Sequence, residues 1–189
     1  MDDIDRLIIS RLEKDGRTTY EELAKDCGMT GVAIKKRIRK LTENKLISIA
    51  AQVNTKILGY YLNLVLLEVD NEENMREIVR AFDRCPRIIS MFTGLGRYNL
   101  VALTFAEDRN TLESEMMSGC SLRSMDGIRK SEVIQLGEKF SSPFLPVRCS
   151  LATREGEEAP CGVHCGSCER YLDELCLGCP ATEFYRGDL

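Results

Sequence analysis

Apolar side chains near the start of the chain recur at helical spacing. In "DDIDRLIISRLEKDGR", Ile4, Leu7, Ile8 and Leu12 share one face, acids stand at the beginning and Gly16 lies just past the end, which predicts a helix. A shorter second helix is predicted from an N-cap at Thr19, through Leu23 and Ala24, to Cys27 and Gly28. A third starts at Thr30 and runs through "GVAIKKRIRKLTENK", with Ala33, Ile34, Ile38 and Leu41 inward and Lys35, Lys36, Arg39 and Lys40 outward. Helix, helix, glycine turn and basic helix form the helix-turn-helix order. The apolar residues that follow, "LISIAAQVN", suit the two strands of a wing.

Beyond residue 60 the pattern changes. "YYLNLVLLEVD" reads as a strand, and Met75, Ile78, Val79 and Phe82 mark one face of a helix stopped by Pro86. Strands over 88–93 and 100–105 flank the turn-rich "GLGRYN"; a helix around 111–117 and a strand over 128–136 complete a β-α-β-β-α-β order. That order belongs to the ferredoxin-like plait. The expected fold class is therefore α+β: a winged helix-turn-helix (1–60), a ferredoxin-like dimerisation domain (61–139), a linker (140–160) and a small metal-stabilised module (161–189).

The net charge of −4 disfavours a nucleic-acid partner until it is divided along the chain. Residues 1–60 hold 12 Lys and Arg against 9 Asp and Glu, whereas residues 149–189 hold 3 against 8, so the positive segment is the one with the basic helix. A helix fits the major groove of double-stranded DNA, where its first residues reach base edges and its cations neutralise phosphates. Thr30, Gly31, Val32, Lys35 and Lys36 are the candidates for groove contact, and Arg37, Arg39 and Lys40 for phosphates. The bland alternative is that "KKRIRK" is only the solvated face of an amphipathic helix. No run approaches the 18 apolar residues of a membrane span, and "MDDIDRLIIS" opens with acids, which points to a soluble cytoplasmic protein with no membrane partner.

Residues 1 to about 138 resemble the Lrp/AsnC regulators of archaea and bacteria. The resemblance is carried by "MDDIDRLIISRLEKDGRTTYEELAKDCGMTGVAIKKRIRKLTENKLI", with Thr30, Arg37, Ile38 and Leu41 at characteristic positions, and by "TGLGRYNLVAL" as the second domain's hairpin. It implies homodimers or higher homo-oligomers built by pairing the plaits, roughly palindromic DNA sites and small effectors near that hairpin. Gly94, Gly96, Tyr98 and Asn99 are the effector candidates it supplies. The family usually has an aspartate where Asn99 stands. For the two glycines, the simpler reading is a hairpin turn that uses positive φ. Some proteins of this layout are sirohaem decarboxylases, which would be expected to use histidine near their tetrapyrrole. The only histidine here is His164, outside both domains, so the chain reads as a regulator and not an enzyme.

Nine cysteines in an intracellular chain do not suggest a disulfide framework, and five of them crowd into "CGVHCGSCERYLDELCLGCP". Their spacing is Cys161-x3-Cys165-x2-Cys168-x7-Cys176-x2-Cys179, with Gly162, Gly166 and Gly178 permitting tight turns and "ERYLDEL" able to form about two helical turns. So short a segment has few apolar residues for a core and needs a metal to fold. Zinc would take the two Cys-x2-Cys knuckles tetrahedrally, leaving Cys161 spare. A [4Fe-4S] cluster would take Cys161, Cys165 and Cys168 with Cys176 or Cys179, the latter preceding a proline. Five thiols exceed what zinc needs, and the cluster is the favoured reading, with a redox-, oxygen- or iron-responsive regulator as its consequence. His164 reads as a bystander, and Cys27, Cys85 and Cys120 as ordinary core cysteines.

Overall fold

The computed structural model describes residues 1–138, 140 and 142–189. The chain divides into two compact units, Met1–Ala51 and Gln52–Leu189.

The first unit is three helices: α1 (Asp3–Lys14), α2 (Tyr20–Cys27) and α3 (Gly31–Glu43). Each begins at a side-chain cap. Asp2 and Asp5 form a capping box on α1, Thr19 and Glu22 form another on α2, and the Thr30 hydroxyl accepts the Ala33 amide of α3. Gly28 ends α2 in the left-handed region at φ 63°, where a side chain would be strained, and thereby sets the turn into α3. Ile8, Leu23 and Ile34 are fully buried at the centre, with Ala24 and Ile38 beside them. Leu7, expected on the inner face of α1, is instead exposed.

The wing is absent. Residues 46–52 contain no strand, and the apolar run ends in β1 (Val53–Asn54), which pairs with β6 (Phe144–Leu145) of the second unit. A strand needs a partner ladder, and among the described residues the one this run finds lies about ninety residues away in sequence.

The second unit contains β2 (Tyr61–Val69), α4 (Glu72–Phe82), β3 (Ile88–Thr93), β4 (Leu100–Ala106), α5 (Arg109–Met117) and β5 (Ile128–Gln135). This is the anticipated β-α-β-β-α-β order, folded as an antiparallel sheet β3-β4-β2-β5. Val65, Leu67 and Val69 alternate along β2 and pack with Leu100 and Ala102 of β4 beneath Ile78 and Phe82 of α4. Phe105, Ile89 and Val147 form a second cluster, with the Tyr60 ring stacked on Phe105 at 4.8 Å.

The domain limits shift accordingly. Residues 52–60 belong with the sheet through β1 and Tyr60, so the first boundary falls at 51/52 and not at 60/61. The segment expected as a linker is packed: besides β6, Arg148 donates to the carbonyls of Ile88 at 2.7 Å and Cys85 at 2.6 Å. The cysteine tail lies in this same unit. "ERYLDEL" forms one helical turn, α6 (Glu169–Leu172), because Glu174 adopts φ 59° and ends it. Among the described residues no helix is long and apolar enough to cross a membrane.

Candidate functional site

In the first unit, α3 presents an exposed stripe. Val32 is 81% exposed, Thr30, Lys35, Lys36, Arg39 and Lys40 are also exposed, and Gly31 is half-buried against Tyr20 and Glu21. Among the described residues Lys35, Lys36 and Lys40 make no ion pair, while Arg39 lies 3.7 Å from Glu43. An apolar side chain flanked by unpaired cations at a helix start suits a thymine methyl between phosphates.

Arg37 departs from its expected role as a phosphate contact. Its Nη1 donates to Asp2 Oδ2 at 2.7 Å and to Asp5 Oδ1 at 2.9 Å, fastening α3 to the capping box of α1. The amide of Asp5 and then the guanidinium hold the Asp2 carboxyl below its ordinary pKa.

The hairpin candidates of the second unit are engaged in the fold. The Asn99 side chain accepts the Val69 amide and donates to the Val69 carbonyl, both at 2.8 Å, serving as an extra rung between β4 and β2. The Tyr98 hydroxyl donates to Glu132 at 2.8 Å. Neither Gly94 nor Gly96 has positive φ. Gly94 is required for a different reason: a Cβ there would come within 2.5 Å of the Tyr98 carbonyl oxygen. Gly96 stands in open space.

The tail is docked on α5. The Ser114 hydroxyl bonds the Leu175 carbonyl at 2.8 Å and accepts from Arg170 Nε at 2.6 Å, the Leu177 amide donates to Thr111 Oγ1 at 3.2 Å, and the Tyr185 hydroxyl donates to Glu107 at 2.8 Å. Gly162 and Gly178 take φ of 82° and 80°, as tight turns require. Gly166 has a packing role instead, since a Cβ there would collide with the Phe184 and His164 rings. His164 itself meets the Phe184 ring edge-on at 4.9 Å and lies outside the cavity formed by the cysteines.

All five tail cysteines line one cavity of about 70 Å³, together with Cys85 and Cys120 of the sheet domain. The Cys179 amide donates to Cys165 Sγ and the Gly178 amide to Cys176 Sγ, both at 3.4 Å, so the two knuckles are joined through sulfur. Burial raises the thiol pKa of Cys161 and Cys176, that of Cys85 to about 11 and that of Cys179 to about 12. The thiols surround a volume: among the described residues no three potential ligands are gathered closely enough to grip a single ion.

Arg87 also lines this cavity, with its Nε 2.8 Å from Glu107 and 3.1 Å from Glu115. Desolvation nevertheless raises the Glu115 carboxyl to about 8, because the guanidinium facing it is already committed to Glu107 through two hydrogen bonds. Among the described residues Thr104 Oγ1, on the cavity wall, is buried without a hydrogen-bond partner, whereas Glu115 Oε1 has only its ion pair with Arg87.

Residues 1–42 match the AsnC-type helix-turn-helix domain. The regulator FL11 of Pyrococcus furiosus is 26% identical over 149 residues, covering 78% of this chain and 97% of its own length. LrpA of Pyrococcus horikoshii is 27% identical over 131 residues, covering 69% and 92%. The chain is a DNA-binding regulator similar to those of the Lrp/AsnC type. Its fold is that of Escherichia coli AsnC (TM-score 0.67, 19% identity, 75% of this chain and 95% of AsnC) and of Mycobacterium tuberculosis LrpA (TM-score 0.65, 22% identity, 76% and 97%). These relatives and neighbours are transcriptional regulators rather than enzymes. About a quarter of this regulator has no counterpart in those two structures, which it otherwise covers nearly end to end.

Proposed function

We propose that this regulator binds DNA sequence-specifically as a homodimer or higher homo-oligomer, and that a [4Fe-4S] cluster held by tail cysteines makes its DNA affinity respond to iron or redox state. The observation that carries the reading is the convergence of all five tail thiols on one cavity, with two of their sulfurs accepting backbone amides. Amide hydrogen bonds to sulfur stabilise thiolates and tune cluster potential.

The size of the cavity favours an inorganic core. Organic ligands occupy about 300–1,000 Å³; 70 Å³ is room for a handful of atoms, far too little for a tetrapyrrole or an amino acid. A cubane spreads its thiolates around a volume, whereas one zinc ion draws four sulfurs to about 2.3 Å from a point. Five thiols on one cavity wall exceed the four that a single zinc ion needs.

For the DNA half of the proposal, Lys35, Lys36 and Lys40 supply unpaired cations and Val32 an exposed methyl pair on the helix that the AsnC-type match includes. Two such heads in a symmetric dimer would read a roughly palindromic site.

The test is anaerobic purification followed by a visible spectrum with iron, sulfide and zinc analysis. A brown protein with near-stoichiometric iron and sulfide is expected. A colourless chain holding one zinc would make the tail structural and return the search for a signal to the hairpin around Asn99.

A further inference from the structure

The tail reaches both faces of the sheet. On the face that α4 covers, Val65 and Ile88 line the cysteine cavity and Cys161 packs against the main apolar core. Leu189 packs instead against Ile89, Phe105 and Val147. That group lies on the opposite face, because Leu103 and Phe105 alternate with Ala102 along β4 and successive strand residues point to opposite sides.

Between the two faces the tail passes the end of β4. There the buried Tyr185 hydroxyl donates to Glu107, one residue beyond the strand, at 2.8 Å. The same hydroxyl oxygen accepts the Leu189 amide at 3.0 Å, which folds the segment back on itself. Gly187 sits inside that fold, where a Cβ would collide with the Tyr185 phenol. Arg154 closes it from outside, donating to the carbonyls of Gly187 at 2.9 Å and Leu189 at 3.1 Å with its guanidinium over the Tyr185 ring. Arg154 stands at φ 58°, unfavourable for a residue with a side chain, and its amide is held by the Pro180 carbonyl at 3.1 Å.

On the far face this segment meets the entry to the second unit. Val53 of β1 and Tyr60, just past the boundary at 51/52, pack against the same group of Ile89, Phe105 and Val147. A two-residue strand gives the entry little ladder to hold it, so apolar packing carries most of the attachment.

We infer that Tyr185–Leu189 is a clasp that closes around the end of β4 and pins residues 53–60, the stretch through which the DNA-binding unit joins the rest of the chain. Resting on the proposed function for this step, the clasp is also the path by which the state of the tail reaches that unit. The path starts at the cavity wall, since Arg87 and Tyr185 share Glu107. It ends at Leu189, whose withdrawal would loosen the attachment.

The test uses the full chain, purified without oxygen, with Leu189→Asp and Arg154→Met, and Leu189→Met as the conservative control. Hydrogen exchange read by mass spectrometry compares residues 53–60 and 144–149 with β2 and β4. Leu189→Asp sets a charge against an apolar group and Arg154→Met removes two hydrogen bonds, so both should speed exchange over 53–60 by about tenfold or more. The centres of β2 and β4 should keep their protection, and Leu189→Met should match wild type. A second readout is the affinity for one duplex at fixed salt, with the metal core loaded and after chelation; the ratio between the two states should shrink toward one in both variants. Wild-type exchange over 53–60 in Leu189→Asp and Arg154→Met would overturn the clasp, as would a rise spread evenly through β2 and β4. Local loosening with the wild-type affinity ratio preserved would overturn the path to DNA. Local loosening, when the wild type itself shows no difference between its two states, would sink the metal response and support the clasp.

Discussion

Replacing Lys35 and Lys36 with alanine removes two cations that are exposed and unpaired among the described residues. Each cation that neutralises a DNA phosphate contributes about 0.9 to the slope of log affinity against log salt. Two heads on one site lose four contacts, so the slope should become shallower by about 3.6. At about 0.15 M salt the same four contacts correspond to a loss on the order of a thousandfold. Arg37 is the internal contrast. It is spent on Asp2 and Asp5, so Arg37→Gln should leave the slope unchanged while lowering the melting temperature of the first unit. The assay is fluorescence anisotropy with duplex DNA across a salt series, and it needs no operator, because the phosphate contribution is independent of sequence. A Lys35→Ala, Lys36→Ala variant that kept the wild-type slope, or an Arg37→Gln variant that lost as much slope, would refute the assignment of cations along α3.

Three further outcomes follow from the second unit. Arg87→Met leaves the buried Glu107 with only the Tyr185 hydroxyl; removing one member of a buried pair costs about 3–5 kcal/mol, and thermal melting should fall by roughly 6–20 °C. A drop under about 3 °C would show that the cluster of charges is not stabilising. Asn99→Ala strands both backbone groups of Val69 and should cost about 2 kcal/mol or more in urea unfolding, while Asn99→Asp keeps the acceptor and should lose less. Equal stability of all three would place the side chain's role elsewhere. Glu115 holds its proton up to about pH 8 when folded but releases it near 4.5 when unfolded, so its contribution is full below about 4.5 and declines as pH rises toward 8. Metal-stripped Glu115→Gln should flatten that decline; an unchanged pH profile would contradict the burial argument.

The parts of the fold legible in the sequence are those with local signals. Periodic apolar residues and caps at Thr19 and Thr30 define the helix-turn-helix, and the alternation of β2 with the stop at Pro86 defines the plait. An apolar run does not name its partner strand, and this one pairs with β6 where a wing is expected. A basic run does not reveal which member turns inward, and here Arg37 turns to the acids of α1. Spacing announced the tail thiols, but not their seat on α5, which is made by polar contacts across 61 and 66 residues with no pattern of their own.

In the proposed function the cysteine cavity governs DNA binding. The direct measurement is the affinity of the same chain for the same duplex, at fixed salt and without oxygen, with its metal core loaded and after chelation. Coupling of 1–3 kcal/mol would change affinity by about 5–150-fold, and a difference in that range is the predicted result. Equal affinities in the two states would contradict that coupling and reduce the cavity to a structural joint.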